Sequence, residues 1–316
     1  MIPAFTMILT VTPNPCLHKI VSFRGHPRGG VVVRPVKSRF QGGGKGINAA
    51  RAARTMGAEV LALLTFGGDV GRLMLAGLSD EQIACEAIEV AGPTRMSTFI
   101  HGVDSGRLTE YLEGGSELSE IELNCFKERF VELVGEADLI SLNGSVPDHG
   151  LDNFHAWAVG EARRAGKPVV VDTYGEPAVL AAQQGPTMLK ANLDEVRSSF
   201  GVDASRPDQM ERFVRPLLDW GIRYVLLTGG ERGVWLFSER ERVRVESPRV
   251  DELNPVGSGD ALLGVMLALL DAGTDWLEAL CAGVAAGAAN AARVGVCDFS
   301  RDEVQELRKR VRIERL

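Results

Sequence analysis

Short apolar, β-branched runs alternate along the chain with longer stretches of helical periodicity. Ile8–Thr12, Val60–Thr65, Leu139–Leu142, Val169–Asp172 and Tyr224–Thr228 read as strands. Gly46–Met56, Ile121–Val134, Asn153–Arg164, Asp208–Trp220 and Ala261–Asp271 read as helices. The runs LISL, VVVD and YVLLT are apolar at both parities, as expected of strands covered on both faces. Strand, helix and strand in repetition predict an α/β fold, a mostly parallel sheet with helices on either side, in three layers.

Two regions break this rhythm. Lys19 to Phe40 holds IVSF and VVVR around the turn-rich GHPRGG, and Arg95 to Glu113 alternates in the manner of a hairpin. Both are expected to lie outside the main sheet, as a small β lid over about 19–40 and 95–113. Without an internal repeat or low-complexity linker, residues 7–316 are expected to form one domain. Arg301 to Leu316 reads as a charged amphipathic helix packed on the surface.

Composition narrows the function classes. A chain of 316 residues with net charge −7 and no basic tract argues against a nucleic-acid binder, while local Arg, Lys and backbone N–H groups can still hold phosphates. The scattered Cys16, Cys85, Cys125, Cys281 and Cys297 form no C-x-x-C pair, so they are expected to be small buried hydrophobes rather than disulfides or zinc ligands. No apolar run reaches the length of a membrane span. Met1 to Thr6 shows no basic segment followed by an apolar stretch, and Met7 is an alternative start, so a cytoplasmic protein is expected.

Two glycine-rich segments carry candidate chemistry. Asn254-Pro255-Val256-Gly257-Ser258-Gly259-Asp260 runs directly into the apolar helix ALLGVMLALL. Its glycines allow a tight turn and close approach of a ligand. The helix start offers unpaired N–H groups and the positive end of a dipole, an anion hole for a transferring phosphoryl group. Asp260 also reads as an ordinary helix cap. The second segment, Gln41-Gly42-Gly43-Gly44-Lys45-Gly46-Ile47-Asn48, is neither a P-loop, because Lys45 is followed by Gly46, nor a dinucleotide fingerprint. Alone it reads equally as a flexible loop.

Together, GGGKGIN near residue 45 and NPVGSGD near residue 257 resemble the two signatures of the PfkB/ribokinase family of sugar kinases. ILTVTPNP near the start, Thr94-Arg95, NGSVP at 143–147, LKANLDE at 189–195 and LLTGGERG at 226–233 fall in that family's order, so the resemblance spans Met7 to Ala292. It is strongest to the 1-phosphofructokinase and tagatose-6-phosphate kinase branch. It implies a ribokinase-like fold and Mg²⁺-assisted transfer of phosphate from ATP to a hydroxyl of a sugar or sugar phosphate. Asp260 matches the catalytic base, and Gly257, Ser258 and Gly259 match the anion hole. Gly43, Gly44, Lys45 and Asn48 match the sugar loop, and Arg95 matches a residue that grips the substrate's phosphate. Arg34 and Ser145 are further candidates for that end of the sugar. On the nucleotide side the resemblance assigns Lys190, Asn192, Glu195, Thr228, Gly230, Gly233 and Asn290, with Asn192 and Glu195 organising Mg²⁺ through water. Asn290 is assigned to the adenine site.

The chain departs from the family pattern at His18, which stands where an Asp commonly binds sugar hydroxyls. A carboxylate only accepts hydrogen bonds, whereas a neutral imidazole accepts one and donates one. Ser258, Ala191 and Asn143 replace a frequent Ala, Pro and Ser. His18 keeps open an unphosphorylated sugar or nucleoside as substrate, or a binding protein without turnover on the same scaffold. The glycine loops also admit an NAD(P)-dependent oxidoreductase, against which stands the missing G-x-G-x-x-G. No nucleic-acid or membrane partner is expected, and the apolar lid strands predict a homodimer formed through the lid.

Overall fold

The computed structural model describes residues 7–25, 30, 32–147 and 151–316. Among the described residues, fourteen strands and ten α-helices fall in two sheets and their flanking layers. The main sheet takes β1 (Met7–Thr12), β4 (Glu59–Phe66), β5 (Ala84–Glu89), β8 (Leu139–Asn143), β9 (Val169–Asp172), β10 (Met188–Asn192) and β11 (Tyr224–Thr228) in parallel pairing. β12 (Val234–Phe237), β13 (Arg242–Glu246) and β14 (Arg312–Arg315) extend it by antiparallel pairing. The spatial order is β14-β13-β12-β11-β10-β9-β8-β1-β4-β5.

The pleat explains why the central strands carry apolar residues at both parities. Leu9, Val11, Ile140, Leu142, Val169, Val171, Leu189, Val225 and Leu227 enter one core. It is closed by α3 (Glu120–Glu136), α4 (Phe154–Arg164), α5 (Glu176–Gln183), α6 (Leu193–Phe200) and α7 (Pro207–Asp219). The alternate residues Ile8, Leu139, Val170, Met188 and Leu226 enter a second core. That one is closed by α1 (Lys45–Thr55), α2 (Gly68–Asp80), α8 (Ser258–Asp271) and α9 (Trp276–Ala291). The three-layer expectation holds.

Two helices of the second layer lie unusually close. A methyl group on Gly264 of α8 would stand 2.2 Å from the Ala49 carbonyl oxygen and 2.7 Å from the Ala52 Cβ of α1. Only a glycine lets the two backbones meet there.

The lid is a four-stranded sheet in the order β3-β2-β6-β7. It is built from β2 (Cys16–Phe23), β3 (Lys37–Gly43), β6 (Arg95–Gly102) and β7 (Leu108–Leu112), with β2 and β6 parallel. Its Ile20 and Phe99 join a third apolar cluster with α8 and α9.

Three expectations are corrected. VVVR is not a lid strand: residues 32–36 are irregular and exposed, and pairing starts at Lys37, while His26 to Gly29 and Val31 lie outside the described residues. The C-terminal segment is not one helix. α10 (Arg301–Arg308) ends and β14 follows, because Ile313 and its neighbours pair with β13. The cysteines are free, but Cys125 is exposed and Cys85 half-buried, so only Cys16, Cys281 and Cys297 behave as core residues. Among the described residues no helix is long and apolar enough to cross a membrane.

Candidate active site

The carboxyl ends of the parallel strands, the lid and the starts of α1 and α8 enclose a cavity of about 1040 Å³. At its floor the two glycine segments meet. Asn48, in the first turn of α1, donates from Nδ2 to Asp260 Oδ2 over 2.8 Å, although the residues are 212 positions apart. Asn48 is itself aimed by Arg51, which donates from Nη1 to Asn48 Oδ1 over 3.2 Å and from Nη2 to the Gly42 carbonyl over 2.7 Å. The glycine loop is thus fastened to the helix it begins.

The turn before α8 has its own supports. Gly257 caps the helix at φ 81°, and a methyl group there would stand 2.3 Å from Val296 Cγ1. Asn290 donates to the Val256 carbonyl over 2.9 Å and to Ser258 Oγ over 3.0 Å, and its Oδ1 accepts from the Cys297 N–H over 2.7 Å. Gln41 and Val296 exchange a pair of hydrogen bonds of 3.0 and 3.2 Å, tying the loop before α1 to the segment beneath Gly257. The first N–H groups of α8 stay without intrahelical partners and point at the cavity end of the helix.

Charge is concentrated beside this turn. Asp172, at the carboxyl end of β9, is fully buried and accepts from Lys190 Nζ over 2.6 Å and from Lys45 Nζ over 2.8 Å. Lys45 also reaches Glu195 over 2.6 Å. Burial alone would raise the Asp172 carboxyl, but the two ammonium groups outweigh it and hold it below its ordinary range. Asp260 goes the other way. Burial, helped by the Asp172 charge and opposed by Lys190, Lys45 and the Asn48 hydrogen bond, pushes it up to about 6. The Lys190 ammonium lies 2.8 Å from where a Cβ on Gly259 would stand, so that glycine gives it access to the turn.

Most of the residues singled out in the sequence come together here. His18, Gly44, Lys45, Asn48, Arg95, Ser145, Lys190, Asn192, Glu195, Thr228, Gly230, Gly257, Ser258, Gly259 and Asp260 line the cavity. Lys45, expected in the sugar loop, has its ammonium held by Asp172 and Glu195. Four candidates do not line the cavity. Asn290 is fully buried and spends its amide on the Gly257 turn, so it positions that turn from behind. Gly43 packs against the His18 ring, Gly233 is a turn residue at φ 101°, and Arg34 is exposed on the irregular segment before β3. The residues not singled out include Glu110, which lines the cavity, and Asp172, which is fully buried behind it and holds Lys45 and Lys190. A lone Asp closing an apolar parallel strand is the readable signal for Asp172, since open α/β sheets bind ligands at those ends.

Asn192 and Glu195 form a reciprocal cap at the start of α6, each side chain bonded to the other's N–H over 2.8 Å. Among the described residues there is no group of three or more acidic, His or Cys side chains arranged to enclose a metal. One amide and one carboxylate fit a magnesium ion that keeps most of its waters, and not one caged by protein alone.

Comparison with known proteins places this geometry in context. The model of the pfkB family carbohydrate kinases matches residues 16–303. The phosphofructokinase-2 of Escherichia coli, solved in complex with substrates and products, superposes with a TM-score of 0.88 at 25% identity, over 96% of this chain and 99% of that one. A possible 1-phosphofructokinase of Thermotoga maritima shares the fold with a TM-score of 0.89 at 21% identity, over 98% and 99% of the two chains. The ribokinase of Arabidopsis thaliana, complexed with ribose and ATP, shares it with a TM-score of 0.74 at 17% identity, over 97% and 99%.

Proposed function

The chain belongs to the pfkB family of carbohydrate kinases, and from that premise we propose that it transfers the γ-phosphoryl group of ATP to a free hydroxyl of a ketohexose phosphate, of the fructose 1-phosphate or tagatose 6-phosphate kind, with Asp260 as base. An ATP-dependent sugar kinase is what the family and its fold establish. The observation that carries the finer reading is the contact between Asn48 and Asp260, which brings sugar loop and anion hole to one point.

The sugar lies under the lid with its reacting hydroxyl at Asp260. As the new oxygen–phosphorus bond forms, the hydroxyl proton passes to Asp260 and the bond to the β-phosphate oxygen breaks, releasing ADP. The transition state is loose, so positioning and charge stabilisation do most of the work. The N–H groups at the start of α8 receive the equatorial oxygens, and Lys190, held against Gly259, adds a fixed positive charge. Asn192 and Glu195 would hold Mg²⁺ through water, and the ion supplies neutralisation of the charge on the β- and γ-phosphates. Thr228 and Gly230 receive the nucleotide phosphates, while the lid keeps out water that would hydrolyse ATP.

Arg95 supports the phosphorylated form of the substrate. It gives hydrogen bonds to the Asn14 carbonyl over 2.9 Å and to the Pro15 and Glu113 carbonyls over 3.4 Å each. A guanidinium has five N–H donors, so two remain for a phosphate at the lid. Arg95→Ala is expected to raise KM for a ketohexose phosphate by about 10–100-fold, the scale of a charge-assisted hydrogen-bonded pair, and to leave an unphosphorylated ketohexose nearly unchanged. Equal responses of the two substrates would rule out the phosphate assignment. ADP release measured over a panel of sugars and sugar phosphates tests the substrate class directly.

The lid also supports a homodimer. Val36, Phe40 and Tyr111 are apolar or aromatic, stand on or beside its edge strands β3 and β7, and are 56, 48 and 62% exposed. Light scattering is expected to give twice the chain mass, and Phe40→Glu is expected to halve it. A wild-type mass equal to one chain would dismiss the dimer.

A further inference from the structure

The lid end of the cavity holds a carboxylate with no part in the reaction as described so far. Glu110 stands on β7 and lines the cavity, and its Oε1 accepts from Ser97 Oγ over 2.6 Å. Ser97 is fully buried on the neighbouring β6, so it fixes the rotamer of a side chain that otherwise stands in the open. Among the described residues the second carboxylate oxygen has no hydrogen-bond partner.

Its neighbours cannot substitute for it. His18 is paired in register with Ser97, but its Nε2 is buried against Gly43 without a hydrogen-bond partner. Being buried, Nε2 offers no accessible acceptor to the cavity. Burial, with Arg51 and Arg95 nearby, holds the imidazole down to about 3, so it carries no charge near neutral pH. Leu112 is apolar, and Arg95 can only donate. Cys16, Arg95, Glu110 and Asp260 line the same cavity, so the three charged groups face one volume.

We infer that Glu110 is a specificity-determining group, accepting hydrogen bonds from substrate hydroxyls that lie between the reacting hydroxyl at Asp260 and the phosphate at Arg95. This rests on the sugar-phosphate reading above. A carboxylate with one oxygen fixed and the other open suits a donor hydroxyl, and it disfavours a second anionic group at the same place. The enzyme therefore prefers polyhydroxylated monophosphates over sugar acids or bisphosphates. A site that holds a hydroxyl this way rejects the deoxy analogue, because the acceptor, covered once the sugar is bound, is then left unpaired.

The test compares wild type with Glu110→Gln, which keeps shape and removes the charge, on a ketohexose phosphate and on its monodeoxy analogues at non-reacting positions. KM for the parent is expected to rise about 10–50-fold with kcat within about threefold. One deoxy analogue that costs the wild type about 10-fold or more in kcat/KM should cost the variant less than about threefold. Ser97→Ala, which frees the carboxylate to swing, should raise KM by a smaller factor. An unchanged or lowered KM in Glu110→Gln, or an equal loss on every analogue, overturns the assignment. The unphosphorylated ketohexose separates the two readings. If it alone turns over and Glu110→Gln still raises its KM, the sugar-phosphate reading fails and the role of Glu110 stands. If the phosphate turns over with a KM indifferent to position 110, the reverse holds.

Discussion

Asp260→Asn is expected to lower kcat by roughly 10²–10⁴ while leaving ATP affinity within a few-fold, the scale on which a positioned general base contributes. The amide keeps the shape, and its oxygen can still accept from Asn48, which donates to the carboxylate over 2.8 Å. What it loses is the capacity to take the hydroxyl proton as the bond to phosphorus forms. The pH profile adds an independent signature. Burial raises the carboxyl to about 6, and the base must be ionised to act, so kcat/KM of the wild type should fall as pH drops through that value. The Asn variant should lack this acidic limb. Steady-state ADP release across about pH 5–8 measures both. Turnover near the wild-type level, or an unchanged acidic limb in the variant, would remove Asp260 from the reaction.

The second large effect is on stability. Asp172→Ala is expected to cost about 3–5 kcal/mol, because it strands the Lys190 ammonium in the interior. Lys190 is only 3% exposed, and among the described residues its Nζ is held by Asp172 alone, over 2.6 Å. Lys45 suffers less, since Glu195 still accepts from it. Urea unfolding should show the midpoint falling with an unchanged slope. The double variant Asp172→Ala, Lys190→Met should recover much of the loss, because it removes the unpaired charge. A single variant within about 1 kcal/mol of wild type would mean that the buried ion pair does not carry the interior as described.

The fold was readable where one physical constraint dominated. β9 and β11 have in the structure the bounds their apolar runs predict, because strands covered on both faces have no polar positions to blur their ends. β5, which reads ACEAIE, has no such signal: it is an edge strand with half-buried charged positions. α9 escaped notice although it is 16 residues long, because it is apolar nearly all round and shows no periodicity. VVVR misled through β propensity alone, which decides little where no partner strand is present. The site was legible as two glycine turns, each demanded by backbone conformations that other residues resist. Glu110 was illegible, since one more carboxylate in an alternating lid strand looks like a solvated face until the register sets it beside Ser97. Asn290 was misassigned for a related reason. The resemblance assigned it to the adenine site, but its amide is spent on the Val256 carbonyl, the Ser258 hydroxyl and the Cys297 N–H, which only the folded chain brings within reach.

The glycine at 264 has a consequence for how this protein can change. Because α8 rests directly on the α1 backbone there, Asn48 and Asp260 ride on what is mechanically one piece, and neither helix can shift without dragging the other. On the function proposed above, substitutions that retune sugar preference are therefore expected on the lid, at His18, Arg95, Ser97 and Glu110, with the phosphoryl-transfer machinery left in place. A bulkier residue at 264 would do the opposite, splaying both halves of the reaction centre while touching no substrate at all.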